Sequence, residues 1–227
     1  MSEERILDAI EEEKEQEVVE KKKFTFKGFF KDKKNIFALA AVVLGLLAIV
    51  LYLVLPAVVI SLTDEGKVIA QKNAGTIPEM SNYYQSISGA RLVFGVGSYT
   101  VWRNVETSAV METQDLVFNI PVLVGLLFIL AGVVGVVVMT LLNKSNVVNK
   151  VILGLMIVGS ILLLLSAVWF YAVDPITAST RYDTTATIYP YGSINGHDGA
   201  GTIVASLIGI AGAVFSGLLI AKPVETR

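Results

Sequence analysis

His197 and Asp198, in the stretch "NGHDG", are the side chains of this chain best suited to acid–base or metal chemistry. His197 is the single histidine and there is no cysteine. Disulfides, thiolate metal sites and cysteine nucleophiles are therefore excluded, as is any two-histidine mechanism. One imidazole with the carboxylates Asp174, Asp183 and Asp198 can hold a cation only weakly. A serine, a histidine and an acid coexist by composition, but no serine stands in a nucleophile-elbow motif. "NGHDG" reads first as a turn, because Asn, Gly and Asp tolerate tight-turn geometry. "FGVGSY", Phe94–Tyr99, has the look of a potassium-filter sequence. A filter needs a pore helix before it and carbonyls that replace the ion's hydration. Here "ARLVFGVGSYTVW" alternates instead like a strand with a glycine turn. The chain is expected to be non-enzymatic, with no cofactor and no metal.

The elements around these residues are dominated by long apolar blocks. Hydrophobic residues make up 54% of the 227 positions, and in this chain they are contiguous, which is the composition of a membrane protein. A membrane-crossing helix needs about 20 apolar residues. Four blocks meet that length: 36–60, 118–142, 151–173 and 202–221. All four lack Asp, Glu, Lys, Arg and His. The first begins too far from Met1, and runs too long, to read as a cleaved signal peptide, and is expected to stay as an anchor.

Lysine and arginine near the span ends set the orientation. "KKKFTFKGFFKDKK", Lys21–Lys34, carries seven lysines just before the first span. The 143–150 connection carries Lys144 and Lys150, and the C-terminal 222–227 segment carries Lys222 and Arg227. Four spans put these three regions on one side, read as the cytoplasm. Segments 61–117 and 174–201 then face outward, the first far longer than a connector requires.

The same basic stretch does more than orient the chain. Phe24, Phe26, Phe29 and Phe30 alternate with Lys21, Lys22, Lys23, Lys27, Lys31, Lys33 and Lys34. Phenylalanines can enter the headgroup boundary while the lysines meet anionic lipid. Partners are thus inner-leaflet anionic lipids and other membrane proteins or a second copy. Nucleic acid is disfavoured, since ten acidic residues lie upstream or within residues 1–34. The remainder of that tail, 1–35, reads as a charged cytoplasmic arm.

Within the membrane, Gly201, Ala205, Gly209, Ala213, Gly217 and Ala221 repeat every four residues. Such a ridge lets a neighbouring helix approach closely. Four residues turn about 400°, so the ridge drifts about 40° per step and a straight partner meets only part of it. Ala131/Gly135 and Ala41/Gly45 are the expected counterparts. The spans hold no ionisable residue and no midspan Gly/Pro break, which argues against a midplane transport site. Pro56 is read as lying inside the first span and Pro121 at the start of the second. Trp169 and Tyr171 are read as interfacial anchors.

The outer segments have strand-like runs: "GKVIAQ", "ARLVFGV", "SYTVWRNV", "TSAVMET" and "DTTATIYPYGS". Both leave the same membrane face and can pool strands in one small sheet. Its core is expected from Val93, Tyr99, Trp102, Ile188 and Tyr191. The fold class is an all-α membrane protein, a four-helix transmembrane bundle with a small β-rich outer cap.

Four spans, inner termini, a long first outer loop, a short inner loop and a moderate second outer loop resemble the claudin-type four-span membrane proteins. The likeness covers the layout of residues 36–221. It implies a left-handed bundle under an outer sheet that mediates adhesion or assembly. The family's first-loop signature of tryptophans and paired cysteines is absent apart from Trp102, so no signature residue carries over. Cysteine-free outer loops point to a bacterial cell membrane. The expected role is a membrane scaffold or interaction protein, with a channel or transporter component as the alternative.

Overall fold

The computed structural model describes residues 33–62, 64, 67, 84–105, 108–142, 146–173 and 194–219. The chain divides into two compact units, Met1–Ile36 and Phe37–Arg227. Of the first, only the turn that opens α1 (Lys33–Val54) is described.

Helix α1 stops at Val54, six residues short of the expected span end, and Pro56–Leu62 is strand β1. Proline has no N–H to donate and drives the residue before it out of the helical region, which ends α1 at Leu55. The β-branched run that follows suits a strand. Nothing in the hydropathy marks this change, because a buried strand is as apolar as a span.

Strand β1 is central in a three-stranded antiparallel sheet of order β2-β1-β5, where β2 is Tyr84–Ser88 and β5 is Ile194–Asp198. The sheet therefore draws on both segments that leave the helices at this end. Val58 pairs with Ile87 on one side and with Asp198 on the other. Ala57, Val58, Val59 and Ile60 are all buried, as both faces of a central strand should be. "NGHDG" is thus strand up to Asp198 and not the expected turn, and Gly199 is extended backbone that leads into the next helix. The pairing with β1 outweighs the local turn preference of Asn and Gly.

"ARLVFGV" is also different from expectation. Gly89–Phe94 is a short helix, α2. Ser88 caps it, its hydroxyl accepting from the Arg91 amide, and Gly95 closes it at φ 62°. Strands β3 (Ser98–Val105) and β4 (Ser108–Asp115) follow as a separate antiparallel pair; β3 coincides with the run "SYTVWRNV", and β4 runs two residues past the end of "TSAVMET". The "GKVIAQ" and "DTTATIYPYGS" runs lie outside the described residues, apart from Lys67.

Among the described residues three helices are long and apolar enough to cross a membrane: α1, α3 (Ile120–Leu142) and α6 (Ala200–Leu218). The 151–173 block is broken. Helix α4 (Asn146–Leu164) and helix α5 (Ser166–Val173) meet at Leu165 with a 63° bend, and count as a fourth span if taken together. Asn119 caps α3, its Oδ1 accepting from the Val122 amide at 3.3 Å. Gly125 and Gly159 face each other between α3 and α4, and Gly132 and Gly135 receive Met156 and Ile152. These pairs run antiparallel, and their small residues bring the backbones close.

Candidate functional site

The break at Leu165 gathers nearly every polar side chain buried at this end of the helices. A continuous α-helix would send the Ser166 and Ala167 amides to the Leu162 and Leu163 carbonyls. Here the Ala167 amide donates instead to Asp198 Oδ1 at 3.0 Å. The Leu163 carbonyl accepts from the Ser166 hydroxyl, and the Leu162 carbonyl accepts from Trp169 Nε1 at 3.1 Å. Three side chains thus meet three of the four backbone groups concerned, as apolar surroundings favour.

Tyr52, fully buried on α1, lies with its hydroxyl 2.7 Å from Ser166 Oγ. The Ser166 proton is committed to Leu163, so Tyr52 is the donor in that pair. Beside it the Thr202 hydroxyl donates to the Ala57 carbonyl at 2.8 Å, and the Gly199 amide donates to the same carbonyl at 2.7 Å. The Tyr171 hydroxyl on α5 accepts from the Gly196 amide. Helices α1, α5 and α6 and strands β1 and β5 are thereby joined through one polar knot. Gly89 packs against the Tyr52 ring and carbonyl with no room for a Cβ, which brings α2 into it.

Asp198 is the one carboxylate among the described residues at this break. Partial burial raises its pKa above the ordinary carboxylate value, while the Ala167 amide and neighbouring His197 act in the opposite direction. His197 is exposed, its Nδ1 3.3 Å from the Asp198 carbonyl. The two residues are adjacent on a strand, and their side chains therefore leave on opposite faces. Asp174 and Asp183 lie outside the described residues. Among the described residues no group of three or more His, Cys, Asp or Glu could hold a metal.

The small-residue ridge of α6 is buried at Gly201, Ala205, Gly209 and Ala213 and half-buried at Gly217, while Ala221 lies outside the described residues. Thr202, Ser206, Gly212 and Ser216 are buried as well. The covered face thus steps from the every-fourth row onto Gly212 and Ser216, as the drift of that row demands. Its principal neighbour is α4, which the sequence reading did not name: Gly209 meets Ser160 and Gly217 meets Leu153. Gly212 sits against α1, where a Cβ would be 3.3 Å from the Ala41 carbonyl and 3.4 Å from the Gly45 amide. The expected Ala131/Gly135 counterpart does not receive α6. Ala131 is exposed, and Gly135 faces Ile152 of α4.

Val93 and Tyr99 are buried together with Leu92, Leu116 and Phe170, and Tyr99 meets Phe170 edge-on at 5.5 Å. Trp102 pairs with Met111 across β3 and β4. Ile188 and Tyr191 lie outside the described residues, as do Lys21, Lys22, Lys23, Phe24, Phe26, Lys27, Phe29, Phe30 and Lys31. Lys33 and Lys34 open α1. Trp169 and Tyr171, read as interfacial anchors, turn their polar ends to the break and to β5.

Sequence reasoning missed Tyr52, Ser160, Ser166, Thr202 and Ser206. Their signal was present: they are hydroxyl residues inside blocks otherwise nearly free of polar groups. No protein-family model and no curated protein matches this chain.

Proposed function

We propose that this protein is a non-enzymatic membrane scaffold or interaction protein of the cell envelope. In this reading α1, α3, the α4–α5 pair and α6 form a four-helix bundle with both termini cytoplasmic, laid out as in the claudin-type four-span proteins. The strands form its outer cap, and anionic inner-leaflet lipid and other membrane proteins or a second copy are its partners. The observation that carries the reading is the close filling of the helix interfaces. Gly45, Gly132, Gly135 and Gly209 are each occupied by a side chain from a neighbouring helix, an arrangement suited to holding a shape. Purification from native membranes followed by mass spectrometry should recover stable membrane-protein partners. Pure protein in liposomes should give no selective ion or solute flux; robust flux from the protein alone would sink the scaffold reading.

The second reading, a channel or transporter component, is favoured by the broken α4–α5 span with Asp198 at its bend. Broken helices beside a carboxylate are a frequent setting for ion binding. It requires a flux that Asp198→Asn abolishes.

A further inference from the structure

Four large apolar side chains outside the long helices stand exposed and contiguous beside the N-terminal end of α3. Phe94 is 55% exposed and Val96 is 61% exposed, on either side of Gly95. Val117 and Phe118 lie next to them, also exposed. Contiguity follows from the backbone. Gly95 is packed against the chain at 116–118, the Asn119 amide donates to the Val93 carbonyl at 3.1 Å, and the Leu116 amide donates to the Gly97 carbonyl at 2.9 Å. Inward-facing Val93, Leu116 and Asn119 are buried, so the turn keeps its core and presents a separate apolar knob. The knob continues directly into Ile120 and the exposed apolar face of α3.

We infer that this knob is a lipid-seated anchor: Phe94, Val96, Val117 and Phe118 sit in the boundary between headgroups and acyl chains. Apolar patches of this kind on a protein surface mark an interaction site, and this one is continuous with a surface already in lipid. Length agrees. The 23 residues of α3 span about 34 Å against a hydrocarbon core of about 30 Å. The residues just before Ile120 therefore fall in the interfacial layer.

The backbone of the turn is compatible with this placement, because its polar groups are paired within the chain. The Val96 amide donates to the Arg91 carbonyl, Arg91 Nε donates to the Val96 carbonyl at 3.3 Å, and Arg91 Nη2 donates to the Ser98 carbonyl at 2.7 Å. Such pairing closes a helix at Gly95 in any surroundings, and it meets the requirement that a loop in contact with lipid leave few backbone groups open. Arg91 meanwhile lays its chain along the turn and keeps its charge beside the carbonyls, the disposition of a basic residue at a membrane boundary. "FGVGSY" is on this reading an interfacial anchor.

The absence of native cysteine makes the test direct. Val96→Cys and Phe94→Cys carry nitroxide labels in proteoliposomes of phosphatidylcholine and phosphatidylglycerol, with Leu130→Cys on the exposed face of α3 and Asp64→Cys as references. The expected result is a label open to oxygen and closed to a water-soluble nickel chelate, as at Leu130, with loss of the nickel accessibility seen at Asp64. Nickel accessibility equal to that of Asp64 overturns the inference, and so does shielding from both relaxers, which means a protein covers the knob. Hydroxyl-radical footprinting of the unmodified protein in nanodiscs gives the same readout without substitution. Relative to the unfolded chain, Phe94 should be protected and exposed Tyr84 labelled; equal labelling of the two overturns the inference.

Discussion

The Asp198 carboxylate sits 3.0 Å from the Ala167 amide, so one residue of strand β5 caps the second half of a helix interrupted at Leu165. The geometry makes an anion useful there, because it meets an amide at a helix N-terminus. Burial opposes it. With a folded-state pKa above the unfolded one, the stabilising contribution belongs to the protonated form. It is present below the unfolded value and lost as pH rises through the folded value. Asp198→Asn, which keeps an acceptor for Ala167 and removes the charge, should therefore match or exceed the parent in thermal stability at pH 7. That advantage should shrink as the pH is lowered toward 4. Asp198→Ala, which leaves the amide without an acceptor, should cost about 1–3 kcal/mol. Thermal unfolding in detergent across pH 4–8 measures all three.

Tyr52 and Ser166 should differ in cost although they share one hydrogen bond. Tyr52→Phe removes a donor and leaves Ser166 bonded to Leu163, so about 0.5–1.5 kcal/mol is expected. Ser166→Ala takes one of its two side-chain partners from the buried Tyr52 hydroxyl, leaving Thr202, and also frees the Leu163 carbonyl, and should cost more than Tyr52→Phe. Equal midpoints for the two variants in a thermal or denaturant titration would refute this arrangement.

At Gly209 any Cβ collides with Ser160 Oγ, while the next atoms, Ser160 Cβ and Ile129 Cδ1, are 3.4 and 3.6 Å away. Gly209→Ala should destabilise by about 1–3 kcal/mol, as an overpacked core does. Ser160→Ala should recover much of that loss in a double-mutant cycle. Gly154, with nothing within 4 Å of its Cβ position, is the control and should accept alanine without loss. Gly209→Leu and Ala213→Leu, which wedge larger groups into the same face, should be worse than Gly209→Ala.

The Lys21–Lys34 stretch should bind anionic vesicles and bind neutral ones poorly. Each lysine near the surface contributes at most about 1 kcal/mol. That part should fade with salt, since the Debye length falls from about 10 Å at 0.1 M to about 3 Å at 1 M. Phe24, Phe26, Phe29 and Phe30 should leave a salt-insensitive remainder, lost when they are changed to alanine. Vesicle co-sedimentation of a residue 21–34 peptide tests both parts, and no binding at low salt would make the stretch a topology signal alone.

Much of this protein is legible in the one-dimensional pattern. Long charge-free runs announce helices suited to a membrane, because the bilayer penalises every unpaired charge and every open backbone group. The every-fourth spacing from Gly201 marks the packed face of α6, because a helix converts spacing into direction. "SYTVWRNV" and "TSAVMET" read as strands because their β-branched residues suit an extended chain.

Other features required the neighbours. Within "VLPAVVISL", hydropathy is constant while the backbone changes from helix to strand; Pro56 marks the place, but the pairing of β1 with β2 and β5 decides the outcome. "ARLVFG" is equally apolar as strand or helix, and becomes α2 where Ser88 and Gly95 cap it and Gly89 fits beneath Tyr52. The bend at Leu165 has no proline or glycine to announce it. It exists because Asp198, 31 residues away from Ala167, supplies the acceptor that the helix gives up there. Composition and period determine which residues prefer lipid and which face a helix turns inward, since both are local. Which donor meets which acceptor is a relation between distant segments, and only the folded arrangement decides it.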